Sequence, residues 1–112
     1  MTNNNLSRKI FKQFVTTNQL TNCLVDNRNC LDLSGKIHGF SVFSDGFIEC
    51  RQFYEDYEAL IAVDAKTHEV FIVQRDKLNI DQAANRIQPR TGRKAYNAKC
   101  PIDVALKTAY KI

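Results

Sequence analysis

Two short runs, Ala59-Leu60-Ile61-Ala62-Val63 and Val70-Phe71-Ile72-Val73, are apolar at every consecutive position. A strand with one solvated face alternates apolar with polar residues, whereas an unbroken apolar run must be buried on both sides. Both runs are too short for a core helix, and the polar stretch Asp64 to Glu69 between them suits a hairpin connection. They are therefore expected as adjacent antiparallel strands at the centre of a sheet. Such strands require cover on both faces, and this requirement governs the reading of the rest of the chain.

Helices are the expected cover. Ile10, Phe11, Phe14 and Val15, with Leu20 beyond, recur at i, i+1, i+4 and i+5, while Arg8, Lys9, Lys12 and Gln13 fall mostly off that stripe. An amphipathic helix is predicted over residues 7–19, with Ser7 at its N-cap and residues 1–5 frayed. A second, weaker helix is read at Asp81 to Ile87. A third spans Asp103 to Tyr110, entered through Pro101, with Asp103 charging the first turn. Cys30 to Leu33 is read as a short strand ending at Ser34-Gly35. Lys36 to Phe43 and Phe47 to Phe53 flank Ser44-Asp45-Gly46, a connection that signals a hairpin. The expected fold class is α+β: a mainly antiparallel sheet of four or five strands with an N-terminal and a C-terminal helix, in a single domain over residues 1–112.

At 112 residues, 44% hydrophobic and 25% charged, the composition is that of a folded domain and excludes global disorder. Charged residues interrupt every apolar run before it reaches membrane-spanning length, and the polar start Met1 to Asn5 does not resemble a secretory signal. A cytoplasmic location is expected, with no membrane partner. Cys23, Cys30, Cys50 and Cys100 form no CxxC pair and are read as reduced thiols, with Cys23, Cys50 and Cys100 as small buried hydrophobes. His38 and His68 stand alone, and His38 reads as an ordinary strand histidine. No phosphate-binding glycine loop, HExxH or GxSxG motif occurs.

The net charge of +4 divides unevenly. Residues 1–45 carry +2, residues 46–81 carry −4 and residues 82–112 carry +6. Between Asp81 and Asp103 there is no acidic residue, while Arg86, Arg90, Arg93, Lys94 and Lys99 occur with Tyr96 among them. Residues 88–99, containing Pro89 and Gly92, are read as a long basic loop. Its cations suit phosphate contacts and Tyr96 suits stacking on a base, so DNA or RNA is the expected partner. A solvated face or a protein-binding surface is the competing reading. Exposed loop charges contribute little to folding, so replacing Arg90, Arg93 and Lys94 together is expected to weaken nucleic-acid binding without loss of stability.

The run from Tyr54 to Asp64, continued by Lys66 to Leu78, resembles the latter half of small PD-(D/E)XK endonucleases, among them group I intron homing endonucleases and resolvase-like relatives. Gln88-Pro89-Arg90-Thr91-Gly92-Arg93-Lys94 and Asp103 to Tyr110 resemble the basic segment and closing helix that follow there, and the likeness covers about 60 residues. The family's site uses an Asp at a strand end and then Glu or Gln, any residue, Lys on the next strand, with a divalent cation such as Mg²⁺ between the carboxylates. The resemblance implies Asp32 as the first carboxylate, but Ile37-His38-Gly39 stands where the second element belongs. A second register places Glu49-Cys50-Arg51 there, with Asp32 or Asp45 as partner. Arg51 is a fixed cation in place of Lys. Asp32, Asp45, Glu49 and Arg51 are thus the candidate catalytic residues, Asp32 and Glu49 the candidate metal ligands, and weak or absent cleavage is the expectation. Each has a plainer reading: Asp32 and Asp45 as turn formers, Glu49 and Arg51 as a solvated charge pair on one strand face.

A reading from a different class is a small phage-type inhibitor, an anti-defence, anti-CRISPR or toxin-immunity protein acting by occlusion. The acidic block Glu55, Asp56 and Glu58 would then face a basic partner. An edge strand could also pair two copies into a homodimer.

Overall fold

The computed structural model describes residues 3–26, 28–89 and 91–112. Helix α1 (Asn3–Thr17) is followed by strands β1 (Cys30–Leu33), β2 (Lys36–Phe43), β3 (Phe47–Tyr54), β4 (Ala59–Asp64), β5 (Val70–Gln74), β6 (Asn79–Ile87), β7 (Lys94–Pro101) and β8 (Leu106–Lys107). They form two sheets: a larger one in the order β1-β2-β4-β5-β8 and a smaller one in the order β3-β7-β6. The fold is α+β and mostly antiparallel, with β2 and β4 as a parallel pair.

The two apolar runs are neighbours as expected: β4 and β5 pair antiparallel, Leu60 opposite Val73 and Ile61 opposite Ile72. Alternate residues point to different cores. Ile61, Val63 and Val70 pack with Ile10, Phe11, Phe14 and Val15 of α1. Leu60, Ala62, Phe71 and Val73 pack with Ile48, Cys50, Phe53, Ala98 and Cys100 of the smaller sheet. Full burial of each Leu, Ile or Val is worth about 1.5–3 kcal/mol, and β4 buries five consecutive residues from Ala59 to Val63.

The second cover is therefore a sheet where helices were expected. Asp81 to Ile87 belongs to β6, and Asp103 to Tyr110 begins within a 3₁₀ turn, Ile102–Val104, and includes the two-residue β8. Among the described residues no C-terminal helix forms. The C-terminal segment instead straps the larger sheet to α1: Thr108 N–H donates to the Val70 carbonyl at 2.8 Å, and Tyr110 packs on Phe14 with ring centres 5.3 Å apart. Asn18 closes the strap, its amide donating to the Lys111 carbonyl at 2.7 Å and accepting from Lys111 N–H at 3.1 Å.

α1 already includes Asn3 to Asn5, which were expected to fray; Met1 and Thr2 lie outside the described residues. Its C-terminus closes by a Schellman pair, Leu20 N–H to the Val15 carbonyl at 2.9 Å and Gln19 N–H to the Thr16 carbonyl at 3.2 Å, with Gln19 left-handed at φ 56°.

The tight hairpin lies elsewhere than expected. Leu33 opposes Lys36 across Ser34-Gly35, whose φ angles of 57° and 81° give the two positive values of a type I′ turn. Ser44-Asp45-Gly46 is instead a corner between layers: β2 remains in the larger sheet while β3 joins the smaller one. The Ser41 hydroxyl donates to the Glu49 carbonyl across the two layers. β3 thus acts as the crossover that permits β2 and β4 to run parallel. The second half of the stretch read as one basic loop is strand, since β7 begins at Lys94.

All four cysteines are free; Cys30, Cys50 and Cys100 are buried, and Cys23 is only partly buried. His38 is buried, and its Nδ1–H donates to the Lys36 carbonyl at 2.8 Å. Among the described residues no helix is long and apolar enough to cross a membrane.

Candidate nucleic-acid interface

The smaller sheet has one free face. Ile48, Cys50, Ala98 and Cys100 point into the core, so alternation sends Phe47, Glu49, Arg51, Asn97 and Lys99 outward. Register lines them up in rows. Glu49 lies opposite Lys99, which lies opposite Asn79, and the next row pairs Asn97 with Asp81. These five polar residues border a groove of about 390 Å³, and beside it Phe47, Glu49 and Lys99 border a smaller hollow. Phe47 is 59% exposed, unusual for a phenylalanine on a strand.

Two bulges shape this face. β3 carries one extra residue between Cys50 and Phe53, and β6 carries three between Asp81 and Arg86. The first frees the Arg51 carbonyl from the ladder, and the Arg86 guanidinium reaches across β7 to donate to it. Arg86 also donates to Asn97 Oδ1 at 3.4 Å. In the second, Asp81 Oδ1 accepts Ala83 N–H at 3.1 Å and Asn85 donates to the Gln82 carbonyl at 2.9 Å. β6 forms an exposed edge of the smaller sheet, and this bulge breaks its row of backbone groups as edge strands that avoid pairing do.

The residues predicted to bind nucleic acid do not form one loop. Lys94 and Lys99 are exposed on β7 and Tyr96 is partly buried on it. Arg86 is committed to Arg51 and Asn97. Arg93 pairs with Asp56 and lies 4.2 Å above the Tyr54 ring. Arg90 lies outside the described residues. The acidic block is also engaged: Asp56 takes Arg28 as a second partner, and Glu55 Oε2 accepts Lys94 N–H at 3.2 Å. Among the described residues the Glu58 carboxylate is the one in that block with neither a hydrogen bond nor an ion pair.

The predicted catalytic residues are dispersed. Asp32 is on β1 in the larger sheet, Asp45 is exposed at the corner, and Glu49 and Arg51 face outward from the smaller sheet. Among the described residues no three His, Cys, Asp or Glu side chains converge. Asp32 and Glu49, borne on different layers, do not fit a shared Mg²⁺ site.

Sequence reasoning missed Phe47, Asn79, Asp81 and Asn97 as site residues. The alternation in Phe47-Ile48-Glu49-Cys50-Arg51 showed which residues of β3 share a face, but their apposition to Asn97 and Asn79 depends on β7 pairing between β3 and β6.

Comparison with protein-family models, curated proteins and solved structures returns no match.

Proposed function

We propose that this chain is a small nucleic-acid-binding domain that takes an unpaired strand on the open face of the β3-β7-β6 sheet, with cleavage weak or absent. The observation that carries this reading is the solvent-exposed Phe47 ring set beside a groove whose walls bear two amides, Asn79 and Asn97, and an ammonium, Lys99. An exposed aromatic ring gives a base a stacking surface, worth about 1–3 kcal/mol per base. Amides bond to base edges, and Lys99 and Arg51 offer phosphate contacts. Glu49 and Asp81 in the same groove disfavour a closely tracking backbone and suit the donor edge of a base. A duplex exposes no base face to Phe47, so single strands are preferred. Cleavage is discounted because Asp32 and Glu49, the candidate metal pair, are borne on different layers, and among the described residues no three His, Cys, Asp or Glu side chains converge around Glu49.

The test is a gel-shift series on single-stranded and duplex DNA and RNA at low and high salt, with a Mg²⁺ lane for cleavage. The expected result is salt-sensitive binding to single strands, weakened tenfold or more by Phe47→Ala and reduced in salt dependence by Lys99→Ala. Absence of binding at low salt, or binding indifferent to Phe47→Ala, overturns the reading.

A further inference from the structure

We propose that Arg28 and Arg93, set on the ring of Tyr54, form a binding site for a phosphate monoester dianion that Asp56 holds closed. The two guanidiniums come from distant parts of the chain and converge on a single oxygen: Arg28 Nη2 and Arg93 Nη2 both donate to Asp56 Oδ1, the former at 3.4 Å. One carboxylate thus faces two cations, leaving a surplus positive charge. The pairing is also geometrically incomplete. A carboxylate and a guanidinium ordinarily meet through two parallel hydrogen bonds, yet Asp56 Oδ2 takes part in none among the described residues.

A second observation points to a missing acceptor. Arg28 Nε is buried and has no hydrogen-bond partner among the described residues. An orphaned N–H of this kind forfeits the hydrogen bonds it would make in water. The Arg28 guanidinium lies against two rings, 5.5 Å from the centre of Tyr54 and 5.3 Å from that of Tyr57, with its side chain 23% exposed. Arg93 is fixed against the same Tyr54 ring. Two donors already aimed at one point, with a third buried close to them, suit a tetrahedral group with several oxygens better than one carboxylate oxygen.

Asp56 sits in the exposed turn between β3 and β4, with its side chain 39% exposed, and can swing out into water when a stronger anion arrives. With Asp56 displaced the site carries two positive charges, which match a dianionic monoester and leave a diester under-compensated. This site is separate from the Phe47 groove, and neither reading requires the other.

The test is a titration of the whole protein with inorganic phosphate at pH 8, following the arginine Nε–H signals by NMR. Sodium chloride of equal ionic strength and dimethyl phosphate serve as controls. The expected result is a saturable shift of the Arg28 Nε–H with phosphate alone, at least tenfold tighter in Asp56→Asn and lost in Arg28→Gln and in Arg93→Gln. An unmoved Arg28 signal in the unaltered protein overturns the site, even if Asp56→Asn fails to fold. An equal response to dimethyl phosphate overturns the preference for a monoester. Running a 5′-phosphorylated dinucleotide beside inorganic phosphate identifies the source of the group, the tighter of the two being the ligand.

Discussion

Gly39 of β2 lies directly beneath the ring of Tyr57: a Cβ at position 39 would stand 2.6 Å from both Cδ2 and Cε2 of that ring. The glycine is required here for space. Tyr57 is buried against Phe53, ring centres 5.5 Å apart and perpendicular, and it abuts Arg28, so the ring has little room to retreat. Gly39→Ala is expected to destabilise the fold by about 2–3 kcal/mol, as overpacking does. Tyr57→Leu in the same chain should recover part of that loss. Urea denaturation of the single and double variants measures both, and an unchanged Gly39→Ala midpoint refutes the contact.

Arg93 departs from the expectation that basic residues near the β6–β7 turn are dispensable to folding. Its guanidinium is paired with Asp56 and stacked on Tyr54. Arg93→Ala is expected to lower stability by about 1 kcal/mol. Lys94→Ala and Lys99→Ala, at exposed positions, should stay within about 0.5 kcal/mol of the parent. Thermal or chemical unfolding of the three variants side by side distinguishes them.

Alkali should unfold the protein earlier than acid-stable surface charge alone would suggest. Burial pushes the Cys50 thiol up to about 11 from an ordinary 9.0, and raises Cys30, Cys100 and Tyr57 as well. A raised pKa in the folded state gives stability that is complete below the unfolded value and is lost as pH climbs to the folded one. For Cys50 that interval is pH 9 to about 11, with a loss on the order of 2–3 kcal/mol. Denaturant midpoints from pH 7 to 11 should fall across it, and Cys50→Ala should flatten the fall. At pH 8, a thiol reagent should label Cys23 first.

Phe14→Ala should loosen the helix and the C-terminal strap together. The ring is fully buried between Phe40, 5.6 Å away, and Tyr110, 5.3 Å away. A loss of about 3–5 kcal/mol is expected. Hydrogen exchange should show faster opening at Thr108 and Lys111 as well as in α1, and opening confined to α1 would separate the two.

What the sequence determined by itself is local. The unbroken apolar runs at Ala59 to Val63 and Val70 to Val73 required a doubly covered central pair, because neither face of such a strand can meet water. The stripe of Ile10, Phe11, Phe14 and Val15 specified α1, because only a helix gathers that spacing. The identity of the second cover was decided by tertiary structure. Asp81 to Ile87 has no strand alternation and is exposed along most of its length; β7 holds it extended through backbone bonds that no side-chain pattern announces. Asp45-Gly46 carries a hairpin's residues, yet β2 is committed on both edges, to β1 and β4, so β3 must leave for the other layer. The candidate surface follows from the same fact. Phe47, Lys99 and Asn79 are far apart along the chain, and they share a face because non-local strand pairing places β7 between β3 and β6. Arg93, readable only as a basic residue, became part of a folded cluster because the β6–β7 turn brought it to Asp56 and Tyr54.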